Sequence, residues 1–120
     1  MKFTGLLLKE SLRNDDVLAL VQVTKTETWN VGNATSSQPK AWTAMWFEGE
    51  ESQADAVAEK LSHSLHLGHW YIDLSTASHK YVVFPNRVFK YTLGDKAGRA
   101  EAQQHGRSVG IPESQLDWGE

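Results

Sequence analysis

The chain has no cysteine, only three prolines and only two methionines among 120 residues. Without cysteine there is no disulfide, no thiol nucleophile, no iron–sulfur cluster and no cysteine-ligated zinc. A cysteine-free chain fits a reducing compartment, and a cytoplasmic protein is the expectation. Long hydrophobic runs are also missing. Phe3 to Leu8 is apolar but stops at Lys9-Glu10, too short for a signal sequence or a membrane span. Charge of one sign is not in excess: 12 Lys/Arg stand against 15 Asp/Glu, a net of −3 with a pI of about 5.9. A nucleic-acid-binding domain usually shows a basic pI with clustered Lys and Arg, so neither nucleic acid nor membrane is an expected partner. The chain contains no Gly-x-Gly-x-x-Gly, no Gly-Lys-Ser/Thr and no Gly-x-Ser-x-Gly. Phosphate-cradling loops and a hydrolase elbow are therefore unsupported, and no cofactor is expected.

What is present is ordinary globular composition, with 40% hydrophobic and 22% charged residues. That is enough for one domain over residues 1–120 with its own core. The charge is uneven. Residues 1–79 carry six Lys/Arg against ten Asp/Glu, whereas residues 80–107 carry six against Asp95 and Glu101. Such a basic stripe either answers the acidic part of the same molecule or holds an anion.

Hydrophobic periodicity supplies the elements. Phe3–Leu8 reads as a strand running on toward Leu12. Asn14 or Asp15 then caps a short helix through Leu20. Val21–Val31 alternates, with Val21, Val23, Trp29 and Val31 sharing one parity. Gly32 to Pro39 is a polar loop. Ala41–Glu48 is apolar on both parities, with Trp42, Ala44 and Trp46 on one and Thr43, Met45 and Phe47 on the other. This pattern suits a central strand covered on each side. A helix follows over 52–66, with Ser52 and Asp55 as a capping-box pair, Ala54, Ala58, Leu61 and Leu65 as its stripe, and Gly68 as its exit. Trp70–Leu74, Tyr81–Phe84 and Val88–Tyr91 read as an antiparallel meander, turned by Thr76–His79 and Pro85-Asn86. Asp95 caps a last helix to about Ser108.

This order points to an α+β fold: a ferredoxin-like βαββαβ antiparallel sheet with an added β-hairpin and C-terminal helix. Both core helices would lie on one sheet face. The other face would expose Tyr71 and one parity of the Trp42/Trp46 strand, for the C-terminal helix or a dimer partner to cover. The cadence Tyr-Val-Val-Phe, Arg-Val-Phe-Lys-Tyr and Gly-Ile-Pro-Glu-Ser-Gln-Leu-Asp-Trp over Tyr81–Trp118 resembles the C-terminal part of small bacterial proteins. Those proteins often end in Gly-Ile-Pro-x-x-Gln-Leu-Asp-aromatic. The resemblance covers about a third of the chain and implies a bacterial origin and a structured C-terminus. It carries over no activity.

Several groups of residues invite a functional reading. His63, His66 and His69 suggest zinc, but His69 follows Gly68, beyond the helix end, and the other two suit a solvated helix face. No metal is expected. Trp42, Trp46 and Tyr71 are either core packing or a binding platform on the open sheet face. His79, Tyr81, Arg87, Lys90 and Tyr91 come from neighbouring strands and turns. They form either a pocket for a carboxylate or phosphate or a plain exposed hairpin. Alternation places Arg87 and Tyr91 on one side and Lys90 on the other. The leading expectation is a non-enzymatic binding or regulatory module acting through a protein partner or through a second copy of itself. The alternative is a small enzyme or small-molecule binder with a pocket between the open sheet face and the C-terminal helix.

Overall fold

The structure, a computed structural model, describes residues 1–14, 16–30, 41–66, 70–111, 116 and 118. It is α+β. Six strands, β1 (Lys2–Leu8), β2 (Gln22–Asn30), β3 (Ala41–Glu50), β4 (Ile72–Ser75), β5 (His79–Phe84) and β6 (Arg87–Thr92), form one antiparallel sheet in the order β2-β3-β1-β4-β5-β6. Two helices join it, α1 (Ala54–Ser64) and α2 (Lys96–Ser108). The α+β class, the single antiparallel sheet and the C-terminal helix are those expected, and six strands is the number that a four-stranded core with an added hairpin requires.

Three local expectations are corrected. Between β1 and β2 the described residues form no α-helix but two 3₁₀ turns, Lys9–Ser11 and Asp16–Leu20; Asp15 lies outside the described residues. Five residues form too few i→i+4 bonds to offset helix nucleation. Asn14 does act locally, its Oδ1 accepting from the Asp16 amide at 3.1 Å. Strand β1 stops at Leu8, and Leu12 is reached only as an isolated bridge to Leu65. Finally, the Ser52/Asp55 capping box does not form. A 3₁₀ turn over Glu51–Gln53 precedes α1, whose N-cap is Gln53 without a side-chain cap. Asp95, by contrast, does cap α2, accepting from the Gly98 amide at 3.1 Å.

The alternation of β2 is broken by a bulge. Val23 stands opposite Phe47, but Lys25 stands opposite Trp46, leaving Thr24 as the extra residue. One added residue flips the parity of all that follow. Val23 and Trp29 therefore lie on opposite faces, contrary to the expected shared stripe. Val31, Gly32 to Pro39, Gly68 and His69 lie outside the described residues.

Each sheet face has its own core. On the first, α1 lays Ala54, Val57, Ala58, Leu61 and the following Leu65 against Phe3, Leu7, Phe47, Ile72, Leu74, Tyr81 and Val83. Gly5 faces Phe47 and Gly49 faces Phe3 across the β1–β3 ladder. Each ring covers the glycine opposite it, and a Cβ on either glycine would come within 2.5 Å of that ring. The C-terminal end of α1 is tied down by Arg13, whose amide donates to the Ser64 carbonyl and whose guanidinium donates to that of His63. The second core lies on the opposite face. There Val82, Phe84 and Tyr91 meet Ala102 of α2 together with Ile111, Leu116 and Trp118. Adjacent residues Val82 and Val83 thus belong to different cores, as strand alternation requires. Among the described residues, no helix is long and apolar enough to cross a membrane.

Candidate functional site

The second face is covered over only part of its width. Helix α2 packs against β6, and Tyr71 is held there by Phe84 and Trp118, with ring centroids 6.0 and 5.3 Å away. The β1, β2 and β3 part of the same face is different. Leu6 stands opposite Trp46, and Trp46 opposite Lys25. All three side chains lie on this face. Trp29 meets Trp46 edge-on at 5.8 Å, and the Lys25 ammonium sits 4.9 Å from the centre of the Trp46 ring. Leu6, Trp29 and Trp46 are half-buried and belong to neither core. Glu27 links the row: it accepts from the Trp29 indole at 3.3 Å and pairs with Lys25 at 2.6 Å. Hydrogen bonds from Lys25 first, and from Trp29 second, hold its carboxyl below the usual range.

The expected tryptophan platform is therefore split. Trp46 reaches the open surface. Trp42 does not: it shares the parity of Trp46 and stands opposite Trp29, but it is 8% exposed and packs against Trp70 at 5.7 Å. Its indole nitrogen is buried with no hydrogen-bond partner among the described residues. Trp29, expected to share a stripe with Val23, joins Trp46 instead because of the bulge.

The expected His79/Tyr81/Arg87/Lys90/Tyr91 pocket also divides between faces. Tyr81 and Lys90 stand opposite each other on the α1 face. Tyr81 Oη donates to Asp55 Oδ1 at 2.7 Å, Lys90 Nζ donates to the same oxygen at 3.2 Å, and the ammonium lies 5.2 Å from the Tyr81 ring centre. Tyr91 points the other way and is buried, accepting from the Trp118 indole. Arg87 stacks on Phe89 at 4.7 Å. His79, with Nδ1 2.8 Å from Ser78 Oγ, adds a small electrostatic pull on Asp55.

Two wide recesses result. One, of about 450 Å³, lies beside α1 and is lined by Asp55, Glu59, His63, Tyr81, Arg87 and Lys90 among others. The second, of about 650 Å³, lies between β6 and α2, with Arg87, Phe89, Glu101, Gln104 and His105 in its wall. In the first, the Tyr81 hydroxyl and then the Lys90 ammonium hold the Asp55 carboxyl below its ordinary value. Burial, then the bond to Asp55, raises the Tyr81 phenol. Bonding to Tyr81 and to Asp55 raises Lys90. All three shifts lead away from neutrality, whereas general acid–base catalysis needs a group poised near it. In the second recess, burial and then the nearby Arg87 lower His105, which keeps that imidazole neutral.

Compared with protein-family models, with curated proteins and with solved structures, the chain matches none. The site rests on geometry alone. His63 lies 3.9 Å from the Glu59 carboxylate, both well exposed, and among the described residues no three His, Asp or Glu side chains are grouped as metal ligands.

Sequence reasoning missed Lys80. Its side chain is 6% exposed and pairs with Asp73 at 2.7 Å. The signal was there: Lys80 shares the parity of Val82 and Phe84, which is the parity of the second core. Glu10 was missed as well. It accepts from the Thr43 amide at 2.6 Å, just past the Leu8–Ala44 pair that ends the β1–β3 ladder.

Proposed function

We propose that this protein is a non-enzymatic binding module that docks a protein partner on the uncovered part of its sheet, through Leu6, Trp29 and Trp46. One observation carries the reading. Two half-buried tryptophans lie outside both cores, while α2 and Trp118 shield the β5–β6 side of the same face. Tryptophan is among the residues most concentrated at interface hot spots. The partner that fits offers its own aliphatic or aromatic side chains to these rings. A carboxylate at its rim would meet Lys25.

In this reading the first four strands are a ferredoxin-like frame in which 3₁₀ turns replace the first helix. The ending that resembles that of small bacterial proteins serves packing: its Ile111, Leu116 and Trp118 are buried in the second core. The competing reading, a small-molecule site between the sheet and α2, has the Arg87/His105 recess in its favour. Its one Lys or Arg, Arg87, shares the wall with Glu101, and burial and Arg87 lower the pKa of His105.

Photo-crosslinking in the cells that make the protein tests the docking. A benzophenone side chain at position 46 or 6 should give a discrete adduct, and the same group at Glu101 should not. Absence of any adduct at positions 46 and 6 overturns the reading.

A further inference from the structure

Strand β2 is an edge of the sheet, with no strand on its outer side among the described residues. Gln22, Thr24, Lys25, Thr26 and Thr28 along it are exposed. A long exposed edge is a template for another strand, and proteins usually blunt it with a lysine or a bulge. This edge has both, Lys25 and the bulge at Thr24, but two residues beyond the lysine stands Glu27. We infer that the chain pairs with a second copy of itself, β2 against β2, antiparallel about a two-fold axis at Thr26.

Register selects the pairing. In a two-fold antiparallel pair of identical strands the facing residues must share a sheet face, so the alternatives differ by steps of two residues. Centred on Lys25, the strands would set lysine against lysine. Centred on Glu27, they would set glutamate against glutamate. Centred on Thr26, each Lys25 meets the partner's Glu27, and Thr24 meets the partner's Thr28. Opposite charges and threonine pairs across strands are both favourable, and like charges directly opposite are not. In the single chain Lys25 already answers its own Glu27 at 2.6 Å. The pairing therefore places each ammonium between two carboxylates without stranding either group. The other sheet edge offers no such match. β6 carries Arg87 and Lys90 and no carboxylate, so two copies would repel.

The axis stands normal to the sheet. It joins two six-stranded sheets into one of twelve strands, with both Trp29/Trp46 patches on the same side. The pairing runs through the backbone edge of β2 and its Lys25 and Glu27, whereas docking runs through the Leu6, Trp29 and Trp46 side chains, so either can fail while the other stands.

Sedimentation velocity over a range of concentrations tests it, on the wild type, Lys25→Glu, Glu27→Lys and the double exchange. Both substitutions fall on exposed or half-exposed strand positions and leave both cores intact. The wild type should dimerise reversibly. Each single variant, which turns two attractive pairs into repulsive ones, should weaken the dimer about tenfold. The double exchange should restore it, and an equimolar mixture of the two single variants should associate more tightly than either alone. A wild type that stays monomeric throughout overturns the inference. So do single variants that dimerise undiminished, or a mixture that gains nothing.

Discussion

The indole nitrogen of Trp118 donates to the phenolic oxygen of Tyr91 at 2.9 Å, and both side chains are buried. The bond joins the end of the chain to β6, 27 residues earlier. Arg99 and Gln103 of α2 add bonds to the carbonyls of Trp118 and Leu116, at 2.7 and 3.0 Å. Together these contacts hold Leu116 and Trp118 on the second face.

Trp118→Ala should therefore cost about 3–5 kcal/mol, since it removes a large buried ring and leaves a cavity. Tyr91→Phe keeps the packing but leaves the indole N–H without its acceptor, a cost of about 1–3 kcal/mol. Urea unfolding reads both. A Trp118→Ala loss below that of Tyr91→Phe would contradict this account of the second core.

The Lys80–Asp73 pair should respond asymmetrically. Lys80 is almost wholly buried, while the Asp73 side chain keeps 24% of its exposure. Asp73→Ala strands a buried cation and should cost about 3–5 kcal/mol. Lys80→Met puts an apolar chain of similar length on the second-core parity and leaves an aspartate that reaches water. It should stay within about 1 kcal/mol of the wild type. Equal losses in thermal or urea unfolding would show that the lysine is not the group that depends on its partner.

His105 predicts an acid-side weakening. Its folded pKa lies below the ordinary imidazole value because of burial and then Arg87, and its ring lies 4.7 Å from Phe84. The unfolded chain takes up this proton first as pH falls, so stability should fall as pH drops below about 6.5, the unfolded imidazole value. His105→Gln should flatten that slope. Asp55, also depressed, acts in the same sense but only in the lower carboxylate range. Denaturation midpoints compared at neutral and mildly acidic pH therefore isolate the histidine. An unchanged slope in His105→Gln would remove it as the cause.

Much of the framework was legible because it rests on local chemistry. The period of Ala54, Ala58, Leu61 and Leu65 gave α1 its buried stripe, and Asp95 gave α2 its cap. Pro85-Asn86 gave the β5–β6 turn, where Asn86 takes a left-handed φ of 62°. The alternation of β6 correctly separated Arg87 and Tyr91 from Lys90. The candidate pocket still failed as one unit, because which parity faces which helix depends on how the sheet is covered. Tyr91 went to the second core and Tyr81 to Asp55.

Composition, periodicity and capping chemistry determined the class of the fold, the strands and helices, and the lack of any cysteine or nucleotide-loop chemistry. These are properties of residues and their near neighbours. Tertiary structure alone decided which face each residue shares. The Thr24 bulge follows from pairing with β3, and it moves Trp29 across the sheet to Trp46. Helix α2 and Trp118 then cover the β6 side of that face and leave the β1–β3 side open. Both outcomes depend on contacts between residues far apart in the chain, whose spacing along the sequence says nothing of their spacing in space.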